Sequence, residues 1–166
     1  MDILDKEFKK NPKPFYFQCG LAMITMIGVL LFLDVLTHTA LIASLGATVF
    51  TVFTMPGSLS ARARNLLGGY AIGITCGVVC GFLSNNAVAD MLFTQEGSFI
   101  LFAALSVGAA IFLMVITDTE HAPAAGISLG LVLNPWNLNT IVFIMGAVLF
   151  IAIVKKALHS HLKDLI

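Results

Sequence analysis

Apolar residues recur in blocks between Phe15 and Lys156, and the lengths of the blocks predict the elements. Residues 17 to 36, 65 to 83, 98 to 117 and 138 to 156 are each long enough for a helix that crosses a hydrocarbon core of ~30 Å, which takes about 20 residues. Two blocks are shorter. Residues 39 to 55 and 120 to 134 reach only roughly 22 to 26 Å at the helical rise. Each reads as a tilted thin span or as a re-entrant half-helix. The order is long, short, long, then long, short, long again. The two short blocks share a Ser-Leu-Gly, at Ser44-Leu45-Gly46 and Ser128-Leu129-Gly130. Three crossings per half would orient the halves oppositely. The expected fold is therefore an all-α integral membrane protein of six hydrophobic segments, arranged as two inverted three-segment repeats. Transporters and channels use that arrangement to build a site near the membrane midplane.

Composition agrees, since 58% of the 166 residues are hydrophobic and only 11% are charged, against about a quarter in a soluble domain. One transmembrane domain over 15–158 leaves a cytoplasmic N-terminal segment at 1–14 and a cytoplasmic tail at 159–166. The first segment mixes three acids with four lysines and does not read as a secretory leader. It reads as an interfacial helix anchored by Ile3, Leu4, Phe8 and Phe15, or as a solvated tail.

Basic residues set the orientation, because Lys and Arg collect in cytoplasmic loops. Lys6, Lys9, Lys10 and Lys13 place the first segment inside, and Lys155, Lys156 and Lys163 the last. Arg62 and Arg64 follow the first short block, so that block must cross back. The loop 84–97 carries Asp90 and Glu96 but no base, as an external loop would. Six crossings of the plasma membrane with both ends cytoplasmic satisfy every base. Lipid and a small ligand are the expected partners, and nucleic acid is not.

Cys19, Cys76 and Cys80 lie inside apolar runs with no histidine or carboxylate beside them, so they read as packing residues and no metal or cofactor is expected. Gly69, Gly73, Gly77 and Gly81 fall four apart, a row that lets two helix backbones approach closely in lipid. It predicts a helix contact within the chain or between subunits, and a homo-oligomer is expected. No HExxH, nucleophile elbow, CxxC or phosphate-cradling loop is present, so no enzymatic activity is expected.

Polar residues inside such a chain are costly, at ~2.5 to 3.5 kcal/mol for a charge at a helix centre on the insertion scale. Arg62 and Arg64 open the helix after Met55-Pro56-Gly57-Ser58-Leu59-Ser60, where Ser58 or Ser60 can cap. Free N–H groups beside arginines suit a bound anion, and the plainer reading has both arginines touching lipid phosphate. In the stretch TDTEHAPAAGISLG, residues 117 to 130, Asp118 or Thr119 can cap the short helix and Pro123 fits its first turn. His121 then lies beside the positive end of that helix, which favours its neutral form. The plainer reading is a structural histidine bonded to a neighbouring carbonyl. Asp34 is the one carboxylate deep enough for a proton site, and the equal alternative is that it snorkels to the surface from the penultimate turn of its helix.

His121-Ala122-Pro123, preceded by Thr117 and Thr119 and followed by Ala124 and Gly126, resembles the His-Pro-Pro signature of the HPP family of integral membrane proteins. Gly46-Ala47, Pro56, Ser58, Arg64-Asn65 and Gly68-Gly69 are similar to that family's small-residue helix, Pro-x-Ser turn and Arg-Asn-x-x-Gly-Gly sequence. The resemblance covers roughly residues 20 to 155. Ala122 replaces the first proline of the signature, and Tyr70 stands where the family often has histidine. Members in plant plastids and cyanobacteria are associated with nitrite transport, so the resemblance implies a permease or channel for a small inorganic anion, nitrite before nitrate. Joined to the residue reading, it places the anion at the N-termini of broken helices, beside Arg64, Asn65, His121, Ser44, Ser128 and Thr119. The competing class is a non-transporting scaffold or partner-binding subunit, with a dry interior and with Arg64 and His121 bonded to protein groups alone.

Overall fold

The computed structural model describes residues 9–31, 39–85 and 94–165. The expectations for Ile3, Leu4, Lys6, Phe8, Asp34 and Asp90 lie outside the described residues. Among the described residues there are six helices: α1 (Lys13–Leu30), α2 (Thr39–Thr54), α3 (Ala63–Ser84), α4 (Gln95–Ile116), α5 (Ala122–Leu133) and α6 (Leu138–Leu158). Short 3-10 turns occupy Leu59–Ala61 and His159–His161. No strand occurs among the described residues. The four long helices match the four long blocks, and α2 and α5 match the two short ones.

Local chemistry sets several of the ends. Thr94 accepts a bond from the Gly97 amide to open α4, and Asn137 with Thr140 forms a capping box at the start of α6. Lys155 and Lys156 lie in the last turn of α6, where cations complement the helix dipole.

Successive helices run antiparallel. Gln18, near the start of α1, donates to the carbonyl of Phe53, near the end of α2. Ser98 at the start of α4 donates to the carbonyl of Ser84 at the end of α3. Arg64 at the start of α3 donates to the carbonyl of Thr117 after α4, and Lys155 near the end of α6 donates to the carbonyl of Ala61 before α3. One end of the bundle thus gathers Lys13, Arg62, Arg64, Lys155, Lys156 and Lys163, and is called the basic end below. The residues after α6 stay on it: the Gln18 amide bonds both backbone groups of Lys163, the Leu165 amide donates to Thr54, and Asp164 accepts from the Gly57 amide.

The centre of the bundle is α3, which packs on α4, α5 and α6. Its glycine row faces α5 within the same chain. A side chain at Gly77 would stand 2.8 Å from the Ser128 carbonyl, and one at Gly73 would collide with the carbonyl of Ala124. Leu66, Tyr70, Ile127, Leu131, Ile144 and Ile151 close the core around this contact. The outward faces stay apolar, as Ile24, Ile100, Phe112 and Val142 show by standing more than half exposed. Lipid tails are as apolar as leucine, so these faces need no protein cover.

The inverted relation expected between the halves is not established by this packing. Pairs made by α3 are extensive, whereas the corresponding pairs made by α6 are slight. Within the shared Ser-Leu-Gly, Leu45 is fully buried and Leu129 is 36% exposed.

Candidate functional site

Two of the motifs read from sequence turn out to be two sides of one contact. The first turns of α3 carry Arg64-Asn65 and Gly68-Gly69, and against them lies the segment 117–121 that leads into α5. Arg64 donates through Nη2 to the Thr117 carbonyl at 2.9 Å and through Nη1 to Asp118 at 3.3 Å. Asn65, buried, donates to the Glu120 carbonyl at 3.2 Å. The glycines supply the room: a Cβ at Gly68 would lie 2.7 Å from Thr119 Cγ2, and one at Gly69 would lie 2.9 Å from His121 Cβ. Asp118 takes a left-handed backbone, φ 55°, where the chain reverses.

The reversal leaves the tip of α5 recessed. His121 is the N-cap of α5, and its side chain does not cap the helix. It packs level with Thr48, six residues before the end of α2, and with Tyr70, seven residues after the start of α3. At the helical rise these offsets put His121 about 9 to 11 Å inside the basic end. Pro123 sits in the first turn, where its missing N–H costs no helical bond.

His121 is 1% exposed, and its ring closes a chain of polar groups. Nδ1 lies 2.9 Å from the carbonyl oxygen of Ser60 and 3.0 Å from Ser60 Oγ. A carbonyl only accepts, so in the neutral ring Nδ1 carries the hydrogen and Nε2 accepts. The Thr48 hydroxyl, 2.8 Å away, donates to Nε2, and the Tyr70 hydroxyl, 2.7 Å from Thr48, donates to Thr48 in turn. The same atoms suit the opposite direction. In the protonated ring Nδ1 still donates to Ser60 and Nε2 donates to Thr48, and both Thr48 and Tyr70 have the Ser44 carbonyl as an acceptor, at 3.2 and 3.3 Å. Tyr70 also lies beside the imidazole, with ring centroids 5.6 Å apart.

The six candidate residues divide. His121 is the centre, Ser44 reaches it through its carbonyl, and Thr119 sits just outside, its hydroxyl 2.8 Å from that of Thr117. Asn65 and Arg64 brace the segment from the surface side, and the Arg64–Asp118 pair stands 65% and 76% exposed. Ser128 lies farther along α5 and donates back to the Ala125 carbonyl, so it does not share the site. Thr48, Ser60 and Tyr70 belong to it and were not among the candidates. Tyr70 was visible only as a departure from the family pattern, and Thr48 as a hydroxyl inside an apolar run.

Three expectations are corrected. Neither Ser58 nor Ser60 caps α3, whose N-cap is Arg62, because Ser60 faces His121 instead. Neither Asp118 nor Thr119 caps α5, because Asp118 turns the chain and pairs with Arg64. The tips of the two short helices do not converge: α2 and α5 are antiparallel, with Ser44 against Gly126 and Thr48 against His121, so α2 begins toward the far end.

At that far end a groove of about 470 Å³ lies beside Gly81, Asn85, Asn134 and Trp136. The close contact of α3 with α5 separates it from His121. Among the described residues no group of three His, Cys, Asp or Glu stands close enough to hold a metal ion.

The model of the HPP transmembrane region matches residues 9–162. The chain belongs to the HPP family. No curated protein and no solved structure matches it. As an HPP protein with several apolar helices it is a multi-pass membrane protein of transporter-like type.

Proposed function

We propose that this HPP protein is a permease for a small inorganic anion, nitrite first and nitrate second, and that the tip of α5 is where the anion is held. One observation carries the reading: an uncapped helix N-terminus, with a histidine and three hydroxyls around it, lies about 9 to 11 Å inside a bundle whose outer faces are apolar. Polar groups at such depth are expensive and mark pathways. Helix N-termini attract anions through free N–H groups and the dipole.

Entry from the basic end requires the turn Leu59–Ala61 to move, because Ser60 covers His121. Arg64 and Lys155, which hold the segments on either side, then act as gate supports and do not touch the anion. The basic end is assigned to the cytoplasm by its cations. Exchanging α1, α2 and α3 for α4, α5 and α6 maps each contacting helix pair onto another contacting pair, although the pairs made by α6 are much slighter than those made by α3. That supports an inverted repeat, the architecture of alternating access.

A second reading is favoured by the completeness of the network. Arg64 and His121 are both bonded to protein groups, as a non-transporting scaffold requires. Nitrite and nitrate uptake into proteoliposomes, with protein-free liposomes as baseline, decides between them. The permease reading expects uptake above baseline that falls at least tenfold in His121→Ala. Uptake at baseline in the unaltered protein leaves the scaffold standing.

A further inference from the structure

On the lipid-facing side of the basic end, a groove of about 550 Å³ lies between the first turns of α3 and the last turns of α6. Leu67, Leu149, Ala152 and Ile153 make an apolar floor, and Lys156 and His159 stand at its rim. Arg62 immediately precedes Ala63, which also lines the groove. Arg62, Lys156 and His159 are exposed, and their side chains have no hydrogen-bond or ion-pair partner among the described residues. Lys155 is occupied, since its ammonium donates to the Ala61 carbonyl and ties the two walls together. Asp164, an acid close enough to act on Lys155, is engaged by the Gly57 amide.

We propose that this groove binds one anionic phospholipid, with an acyl chain on the floor and the phosphate between Arg62, Lys156 and His159. From Leu149 to His159 the groove follows ten residues of α6, about 15 Å at the helical rise. That is one leaflet of a core of ~30 Å. The cations stand where α6 leaves the hydrocarbon, at headgroup depth. Basic pockets between membrane helices are suited to such headgroups. A second copy of the chain fits less well, because a self-complementary contact at this face would bring identical cations together.

The test uses the purified full chain in neutral detergent, with native mass spectrometry and thermal unfolding read against added lipid. Phosphatidylglycerol is compared with phosphatidylcholine of the same acyl chains and with inorganic phosphate. The expected result is one retained phosphatidylglycerol that raises Tm, with phosphatidylcholine at least fivefold weaker. Arg62→Gln and Lys156→Gln should each weaken phosphatidylglycerol about fivefold, the effect of one base near an anionic surface, and leave phosphatidylcholine unchanged. Ala152→Phe, which fills the floor, should weaken both lipids. Equal binding of the two lipids overturns the proposal. So does displacement of phosphatidylglycerol by equimolar inorganic phosphate, which would mark a free-anion site, or a dimer that the two charge variants dissociate, which would mark a subunit contact. Arg62 and Lys156 are exposed, so their variants remain informative if Ala152→Phe does not fold.

Discussion

Thr48 is the residue on which the buried chain turns, because its single hydroxyl lies within hydrogen-bond reach of Tyr70, His121 and the Ser44 carbonyl. Thr48→Ser keeps that hydroxyl, whereas Thr48→Val keeps the shape and strands His121 Nε2, at a cost of ~1 to 3 kcal/mol, while Tyr70 keeps the Ser44 carbonyl as acceptor. Nitrite uptake and Tm should therefore survive in the serine variant and fall in the valine variant. Tyr70→Phe removes an outer link only. Its cost should be about 0.6 kcal/mol and no more than about 1.7, the range for side-chain bonds between membrane helices. Equal losses for Tyr70→Phe and Thr48→Val in a denaturation series would refute the order of the chain. Arg64→Ala loses an exposed ion pair, worth about 0 to 1 kcal/mol, together with its bond to Thr117. It should leave Tm nearly unchanged.

Among the helices, α5 depends most on its neighbour. It has 12 residues, its first turn has no side-chain cap, and its backbone lies on the glycines of α3. Tight packing replaces the hydrophobic effect between helices in lipid, so that face admits no side chain. Gly73→Val and Gly77→Val should abolish the folded peak in detergent gel filtration, since a Cβ at each position meets a carbonyl of α5. Gly108 faces open space. Gly108→Ala should be neutral or stabilising by up to ~1 kcal/mol through the lower flexibility of alanine. Matching losses at positions 73 and 108 would show that the row does not pack as described.

At the scale of the molecule, the alternating helices put residues 62 and 163 on one face and residues 85 and 135 on the other. Single cysteines at these positions, in a background where Cys19, Cys76 and Cys80 are serine, should react with an impermeant maleimide in two groups. Positions 85 and 135 should label from outside intact cells, and 62 and 163 only after permeabilisation. Labelling of 62 and 85 from the same side would remove the six-crossing topology and with it the depth of His121. The strap after α6 offers a separate check. Its bonds to Gln18, Thr54 and Gly57 join α6 to α1 and α2, so truncation after His161 should lower Tm while leaving the glycine contact intact.

Run lengths and basic residues alone determined the number of described helices, the limits of all but α1 to within a few residues, and their alternation, because a hydrocarbon slab imposes a length and a charge pattern on each crossing. The glycine row announced a close contact, and His121-Ala122-Pro123 announced a broken helix, for reasons equally local. Tertiary structure decided which partner each motif meets. Arg64-Asn65 and Gly68-Gly69 are just over fifty residues from the segment they clasp, and nothing in either stretch names the other. Thr48 and Tyr70 were missed, and Ser60 was read as a cap, for the same reason. A lone hydroxyl in an apolar run is ordinary until the chain folds and sets it within 3 Å of a histidine. The recess of the α5 tip was also beyond reach, since depth in a bundle is fixed by which neighbours a helix packs against and not by its own residues.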